Sequence, residues 1–270
     1  MTAPPTVKIF HRLLLTGAAG GLGQVLRQSL KPYAGVMRLS DIQPLSDSDA
    51  AQECCPCNLA DKAAVHALLA GVDAVVHMGG VSVERPFEEV LDANIKGVFN
   101  LYEAARVHDV RRLVFASSNH VMGFHTQGDM LDASSAKRPD GYYGLSKSYG
   151  EDLSRFYFDR YGIETVCLRI GSSFAEPRDR RMLVTWLSYR DLTELVRCAL
   201  FTPNVGHTVV YGVSNNRDKW WDNSQAAHLG FVAQDSSEPF RANLESTPAL
   251  DAADPAKIYQ GGGFVKAGPF

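Results

Sequence analysis

Short apolar runs alternate along the chain with longer stretches in which apolar residues recur at helical spacing. That is the pattern of βαβ units around a parallel sheet. Residues 12–15 predict a first strand, and 22–30 a helix that Pro32 ends. A second strand is expected over 36–40 and a weak third over 53–56, followed by a helix through Leu69 capped by Asp61. Residues 74–77 predict a fourth strand. Val90, Leu91, Ile95, Val98, Leu101 and Ala105 then recur at helical spacing across 87–106. A fifth strand over 113–116, a long helix over 143–161 and a sixth strand over 165–169 complete this rhythm. Beyond Arg169 it loosens. Residues 182–187 are mixed, Asp191 caps a helix to Phe201, and 208–211 read as a further strand. The last segment, rich in Pro and Gly, is expected to wrap over the surface. The fold class expected is α/β: a Rossmann-type doubly wound parallel sheet over residues 1–170, with a small substrate-covering region, 171–270, packed on it.

The 270 residues carry 27 Lys+Arg against 30 Asp+Glu, a formal charge of -3. This balance gives no overall attraction to nucleic acid or to an acidic membrane surface. No apolar run is long enough to span a bilayer. Met1 to Lys8 lacks the apolar core of a signal peptide, and with Pro4 and Pro5 it reads as a loose tail. The five cysteines, an odd number, favour reduced thiols and a cytoplasmic setting. Cys54-Cys55-Pro56-Cys57 lacks the second pair or the histidines a zinc site needs, so no metal is expected and the cluster reads as a strand end.

Candidate chemistry starts at Thr16-Gly17-Ala18-Ala19-Gly20-Gly21-Leu22-Gly23, a glycine turn between the first strand and its helix. Gly17 permits a tight turn, Gly20 lets backbone approach a pyrophosphate, and Gly23 lets helix and sheet pack closely. The pyrophosphate would rest on free N–H groups at the helix start. Asp41 ends the second strand, where a carboxylate accepts hydrogen bonds from an adenosine ribose and repels a 2′-phosphate. The expected cofactor is therefore NAD. Arg38 could serve such a phosphate, but strand alternation puts it on the face opposite Asp41.

Tyr143 and Lys147 stand at i and i+4 on one helix face. A free phenol is a poor base at neutral pH, and a nearby ammonium stabilises its phenolate. Ser118, at the end of the fifth strand, could share the oxygen of a bound alcohol.

Together Gly17-x-x-Gly20-x-x-Gly23, Ser118 and Tyr143-x-x-x-Lys147 resemble the extended short-chain dehydrogenase/reductase superfamily. Asn94 matches that family's structural asparagine. Further stretches resemble its bacterial uronate dehydrogenases: His77-Met78-Gly79-Gly80-Val81-Ser82-Val83-Glu84, Ser117-Ser118-Asn119-His120, Arg169-Ile170-Gly171-Ser172, Arg181-Met182-Leu183 and Trp220-Trp221-Asp222-Asn223-Ser224. One departure is Asn58-Leu59, where the superfamily usually has Asp-Leu near the adenine.

The resemblance implies NAD-dependent oxidation of a hexuronate (D-galacturonate or D-glucuronate) at C1 to an aldarolactone. Tyr143 would take the hydroxyl proton and Ser118 would orient the oxygen. Lys147 would hold the nicotinamide ribose, and Asn94 would help relay the proton through water. Cofactor contacts implied are Gly17, Gly20, Gly21, Leu22, Gly23, Asp41, Ile42, Asn58, Leu59, Met78, Gly79, Gly80, Tyr143, Lys147 and Ile170. Arg181 would bind the carboxylate as a planar fork, although Arg178 and Arg180 beside it leave a solvated loop as the lesser reading. Ser82, Ser118, Asn119, His120, Tyr143 and Ser172 would contact the sugar, while Trp220-Trp221 reads as packing. A nucleotide-sugar epimerase or dehydratase with tightly held NAD is the alternative, disfavoured by the short region after Arg169. A homo-oligomer is implied, with helices 87–106 and 143–161 as contact surfaces.

Overall fold

The structure is a computed structural model that describes residues 9–45 and 51–268. The loose tail expected at residues 1–8 lies outside them. In chain order the elements begin with β1 (Phe10–Thr16), α1 (Gly21–Ser29), β2 (Ala34–Ser40), β3 (Gln52–Cys54), α2 (Lys62–Leu69) and β4 (Ala74–His77). A continuous helical stretch follows, made of α3 (Phe87–Val90), a π-turn (Leu91–Lys96) and α4 (Gly97–Val107), and then β5 (Arg112–Ser118). Next come α5 (Tyr142–Tyr161), β6 (Glu164–Ile170), β7 (Ser172–Ser173), α6 (Met182–Thr185), β8 (Trp186–Leu187), α7 (Tyr189–Phe201) and β9 (His207–Gly212). Two short helices close the chain, α8 (Arg241–Ser246) and α9 (Pro255–Ile258).

Seven strands form one sheet in the order β3-β2-β1-β4-β5-β6-β9, every neighbour parallel. Helices cover both faces, so the central strands are apolar on both sides, as parallel strands require. Leu13, Leu15, Val76 and Val114 pack with Leu26 of α1 and Leu192 and Leu195 of α7. Leu14, Val75 and Leu113 pack the opposite face with Val65 of α2, Leu101 and Tyr102 of α4 and Tyr157 of α5. The chain leaves β1 outward to β2 and β3, then returns to β4 on the other side. This reversal opens a crevice beyond the carboxyl ends of β1 and β4, where such sheets bind ligands.

Three expectations need correction. The sheet does not end near residue 170, because β9 pairs with β6 from Thr165↔His207 to Ile170↔Gly212. Ser188, not Asp191, caps α7: its side chain accepts the Asp191 N–H. Asp191 is buried, and its carboxylate accepts the N–H groups of Gln234 and Asp235 and the Ser214 hydroxyl. The final segment is not a surface wrap throughout. Gln260 is fully buried, its side chain accepts from the Trp221 indole at 2.9 Å, and it donates to the carbonyls of Thr126 and Asp129. Trp220 and Trp221 pack, as expected, with Val121, Met122, Leu131 and Tyr211. Among the described residues no helix is long and apolar enough to cross a membrane.

Candidate active site

A cleft of about 1240 Å³ lies over the carboxyl ends of the strands. That exceeds the usual space for a single small ligand. At one end stands the glycine turn. Gly17 has φ +69, and a Cβ there would meet the Met78 carbonyl carbon at 2.6 Å. A Cβ on Gly23 would stand 2.0 Å from the Gly17 oxygen. Only glycines let α1 drop this close onto β1, and they leave its first N–H groups, uncapped by any side chain, facing the cleft. Asp41 ends β2 across the turn, held by the Ala19 N–H (3.0 Å) and the Gln43 N–H (3.0 Å). Arg38 is engaged elsewhere, with Glu53 and the carbonyls of Leu68 and Ala70. The Asn58 oxygen accepts the Ala60 N–H, which leaves its amide hydrogens for the cleft.

Tyr143 and Lys147 project from one face of α5 at the middle of the cleft, both buried. Glu84 fixes the start of this helix by accepting the N–H groups of Tyr142 (2.8 Å) and Tyr143 (2.9 Å). Burial pushes the Tyr143 phenol up to about 12, and the Ser118 hydroxyl opposes the shift. Lys147 is brought down to about 8, again by burial. Its ammonium lies 5.7 Å from the Tyr143 ring centroid and 5.2 Å from that of Phe115. In the protein alone, therefore, desolvation dominates the phenol, with the Asp140 charge adding to it.

Arg181 occupies the far end. It is half-buried, its Nε donates to the Gln260 carbonyl at 2.8 Å, and Nη1 donates to Ser172 Oγ at 3.3 Å. With the Asn119 amide oriented to satisfy both neighbours, its oxygen accepts from Nη2 at 2.7 Å and its nitrogen donates to the Ile170 carbonyl. No carboxylate lies within ion-pair distance of this guanidinium among the described residues; burial pulls it down to about 10, opposed by the charges of Asp179 and Asp140. A partly desolvated cation with no paired acid is costly, and the side that faces the cleft is left for a ligand. The other two arginines of the run are placed differently. Arg178 stacks on Phe174 at 3.8 Å, and Arg180 bonds the carbonyls of Glu245 and Thr247. The solvated-loop reading therefore does not hold for Arg181.

Of the residues expected at the site, all line the cleft except Asn94 and Asn119. Asn119 stands behind Arg181. Asn94 is spent on structure: its oxygen accepts the Val81 N–H (2.8 Å), and its nitrogen donates to the Val81 carbonyl (3.0 Å) and Ser146 Oγ (2.8 Å). Its side chain thus clamps the loop carrying Ser82 to α5. Sequence reading missed Gly261 and Phe264, which line the cleft from the C-terminal segment, and Asp140 behind His120. Three glycines before Phe264 look like a tail, and nothing local signals a return to the site.

The glycine cradle, the ribose-level Asp41 and the unpaired Lys147 fit a dinucleotide in one half of the cleft. The other half, with Ser82, Ser118, His120, Ser172 and Arg181, fits a small polyhydroxylated anion.

Comparison with known proteins agrees with this division. The model of the NAD dependent epimerase/dehydratase family matches residues 13–201. A uronate dehydrogenase of Pseudomonas putida is 62% identical over 271 residues, covering 100% of both chains. The crystal structure of a glucuronic acid dehydrogenase from Chromohalobacter salexigens is 50% identical, with TM-score 0.95, over 96% of this chain and 98% of that one. A mutant uronate dehydrogenase from Agrobacterium tumefaciens complexed with NAD is 48% identical, with TM-score 0.94, over 96% and 98% of the two chains.

Proposed function

The chain belongs to the uronate dehydrogenases of the NAD dependent epimerase/dehydratase family, and on that premise we propose that it oxidises a free hexuronate at C1 to the aldarolactone with NAD. The observation that carries the substrate half of this reading is Arg181: a half-buried guanidinium, open to the cleft, with no paired carboxylate among the described residues. A uronate carboxylate is the group that completes it, through two parallel charge-assisted hydrogen bonds. A neutral hexose would leave the cation uncompensated.

When bound, NAD supplies the hydride acceptor and a cationic ring whose charge favours the tyrosine phenolate. The glycine turn and the start of α1 hold its pyrophosphate, and Asp41 accepts the adenosine ribose hydroxyls. Asp41 repels a 2′-phosphate, and Arg38, tied to Glu53, is not free to bind one. Lys147 holds the second ribose. Tyr143 receives the proton of the C1 hydroxyl, while Ser118 orients the same oxygen. Ser118 is fixed for this by accepting the His120 N–H at 3.2 Å. Ser82, His120 and Ser172 meet the sugar hydroxyls. Phe264 closes the sugar end against water.

The oligomeric part of the reading rests on apolar side chains exposed along α4 and α5. Phe99, Val107, Leu145 and Phe156 are each more than two-fifths exposed, and self-association would cover them. Five free thiols and an NAD-coupled reaction suit a cytoplasmic setting.

The test is spectrophotometric: NAD and NADP, each offered galacturonate, glucuronate and glucose. NADH formed with a uronate, and little with glucose or with NADP, is the expected outcome. Absence of NADH with both uronates would contradict the reading.

A further inference from the structure

Asp140 lies beside the cleft without lining it, and among the described residues its one side-chain hydrogen-bond partner is His120, whose Nδ1 stands 2.7 Å from Asp140 Oδ2. The other oxygen, Oδ1, is sealed from solvent without a partner. No lysine or arginine pairs with this carboxylate among the described residues. Burying an acid this way is expensive, yet the fold keeps a slot shaped for it. A Cβ on Gly123 would stand 1.9 Å from Oδ2, and one on Gly261 2.0 Å from it. The first glycine follows β5 and the second belongs to the C-terminal segment, so two distant parts of the chain are kept bare for one carboxylate. The imidazole is pinned as well. The Phe264 ring stacks on it with centroids 3.8 Å apart, and the Tyr143 ring meets it edge-on at 5.8 Å.

We propose that Asp140 is a positioning residue for the dehydrogenase reaction: it holds the His120 hydrogen on Nδ1, so that Nε2 presents an acceptor to a uronate hydroxyl beside Tyr143. The proposal deepens the uronate reading and rests on it. A carboxylate can only accept, so the nitrogen facing Asp140 is the donor and the other is left with a lone pair. Among the described residues Nε2 has no partner, it is not sealed off, and the open space beside the ring is the cleft. Burial, aided by the Arg181 charge and opposed by Asp140 and Glu84, lowers the proton affinity of the ring, which keeps it the neutral acceptor. Arg181 and Lys147 can only donate, so an acceptor here serves the hydroxyl hydrogens that they cannot.

Asp140→Asn fits the same slot, but its amide can donate to Nδ1 and move the ring hydrogen to Nε2. Nitrogen-15 spectra of the histidines, without any substrate, should show His120 as the Nδ1–H form in the parent and as the Nε2–H form in Asp140→Asn. Turnover of galacturonate should fall at least about tenfold in kcat/KM, the scale of an acceptor turned into a donor against a hydroxyl. NAD affinity, followed by tryptophan quenching, should stay within about twofold. In a double-mutant cycle, Asp140→Asn should add nothing once His120→Gln is present. A parent with the hydrogen on Nε2, or losses that add in the double variant, would overturn the proposal. The spectra judge Asp140 even if Asp140→Asn folds poorly, because the parent alone can refute it. They are also independent of the substrate, so failure of the uronate reading, seen as no NADH from the parent, is separable from failure of this one.

Discussion

Two cations with no paired carboxylate among the described residues, buried Lys147 and half-buried Arg181, divide the labour of the cleft at the scale of single residues. Each awaits a group from a ligand rather than from the chain. Tyr143 lies nearer Lys147, and its elevated phenol explains why the unloaded protein carries no stray base. Tyr143→Phe keeps the ring packing against His120 and Phe264 but removes the proton acceptor. Its kcat should drop by roughly 10²–10⁴, with NAD affinity by tryptophan quenching unchanged; retained turnover would assign the base elsewhere. A second prediction concerns His77, which is fully buried on β4. It bonds Thr16 Oγ1 at 2.7 Å and is held down to about 3 by burial, with Lys147 adding to the effect. Below pH 6.5 the unfolded chain takes up a proton there and the folded chain does not until about pH 3. Stability is therefore fully present above pH 6.5 and is lost as pH falls toward 3, by up to about 1.4 kcal/mol per unit. Urea midpoints of His77→Asn should show a shallower acid slope than the parent, and equal slopes would contradict this. Tyr143, Lys147 and the glycines were legible because their chemistry depends on spacing along the chain. Asn94 and Asn119 were legible as important but not as clamps, since sequence does not say which way an amide points.

At the level of elements, the strands were readable because parallel strands covered on both faces are plain apolar runs, such as Leu13-Leu14-Leu15 and Ala74-Val75-Val76. The π-turn inside the expected 87–106 helix was not, because inserting a residue into a helical turn leaves the apolar spacing almost intact. It places Asn94 beside Val81 and Ser146. Asn94→Ala leaves the Val81 N–H and carbonyl and the Ser146 hydroxyl without that partner, and should cost about 2–3 kcal/mol in urea unfolding. It should also raise KM for the uronate more than it lowers kcat, because the loop bearing Ser82 loosens. A loss of kcat alone would instead support a relay role. The α7 cap went to Ser188 rather than Asp191 because both residue types cap well, and only the fold shows that the aspartate is needed by the loop at Gln234 and Asp235.

For the whole molecule, topology was implied by the alternation of runs, and the switch point between β1 and β4 followed from it. Two features were out of reach. The strand β9 joins the sheet after a long excursion, so no local pattern ties it to β6. The C-terminal segment enters the site through contacts far apart in sequence: Trp221 to Gln260, Gln260 to Arg181, and Phe264 to His120. Self-association through α4 and α5 is open to a direct check. Phe156→Glu should lower the mass measured by light scattering toward that of one chain while leaving NAD binding intact. An unchanged mass would place any contact elsewhere.

The central claim is that Arg181, a guanidinium with no paired carboxylate among the described residues, makes this cleft a site for an acidic sugar. Its most direct measurement is the ratio of kcat/KM for galacturonate to that for galactose, in the parent and in Arg181→Met. The parent ratio should be large, and Arg181→Met should shrink it by roughly a hundredfold, about 3 kcal/mol, mostly through KM and with NAD affinity preserved. A ratio that is the same in both proteins would show that Arg181 does not hold the carboxylate.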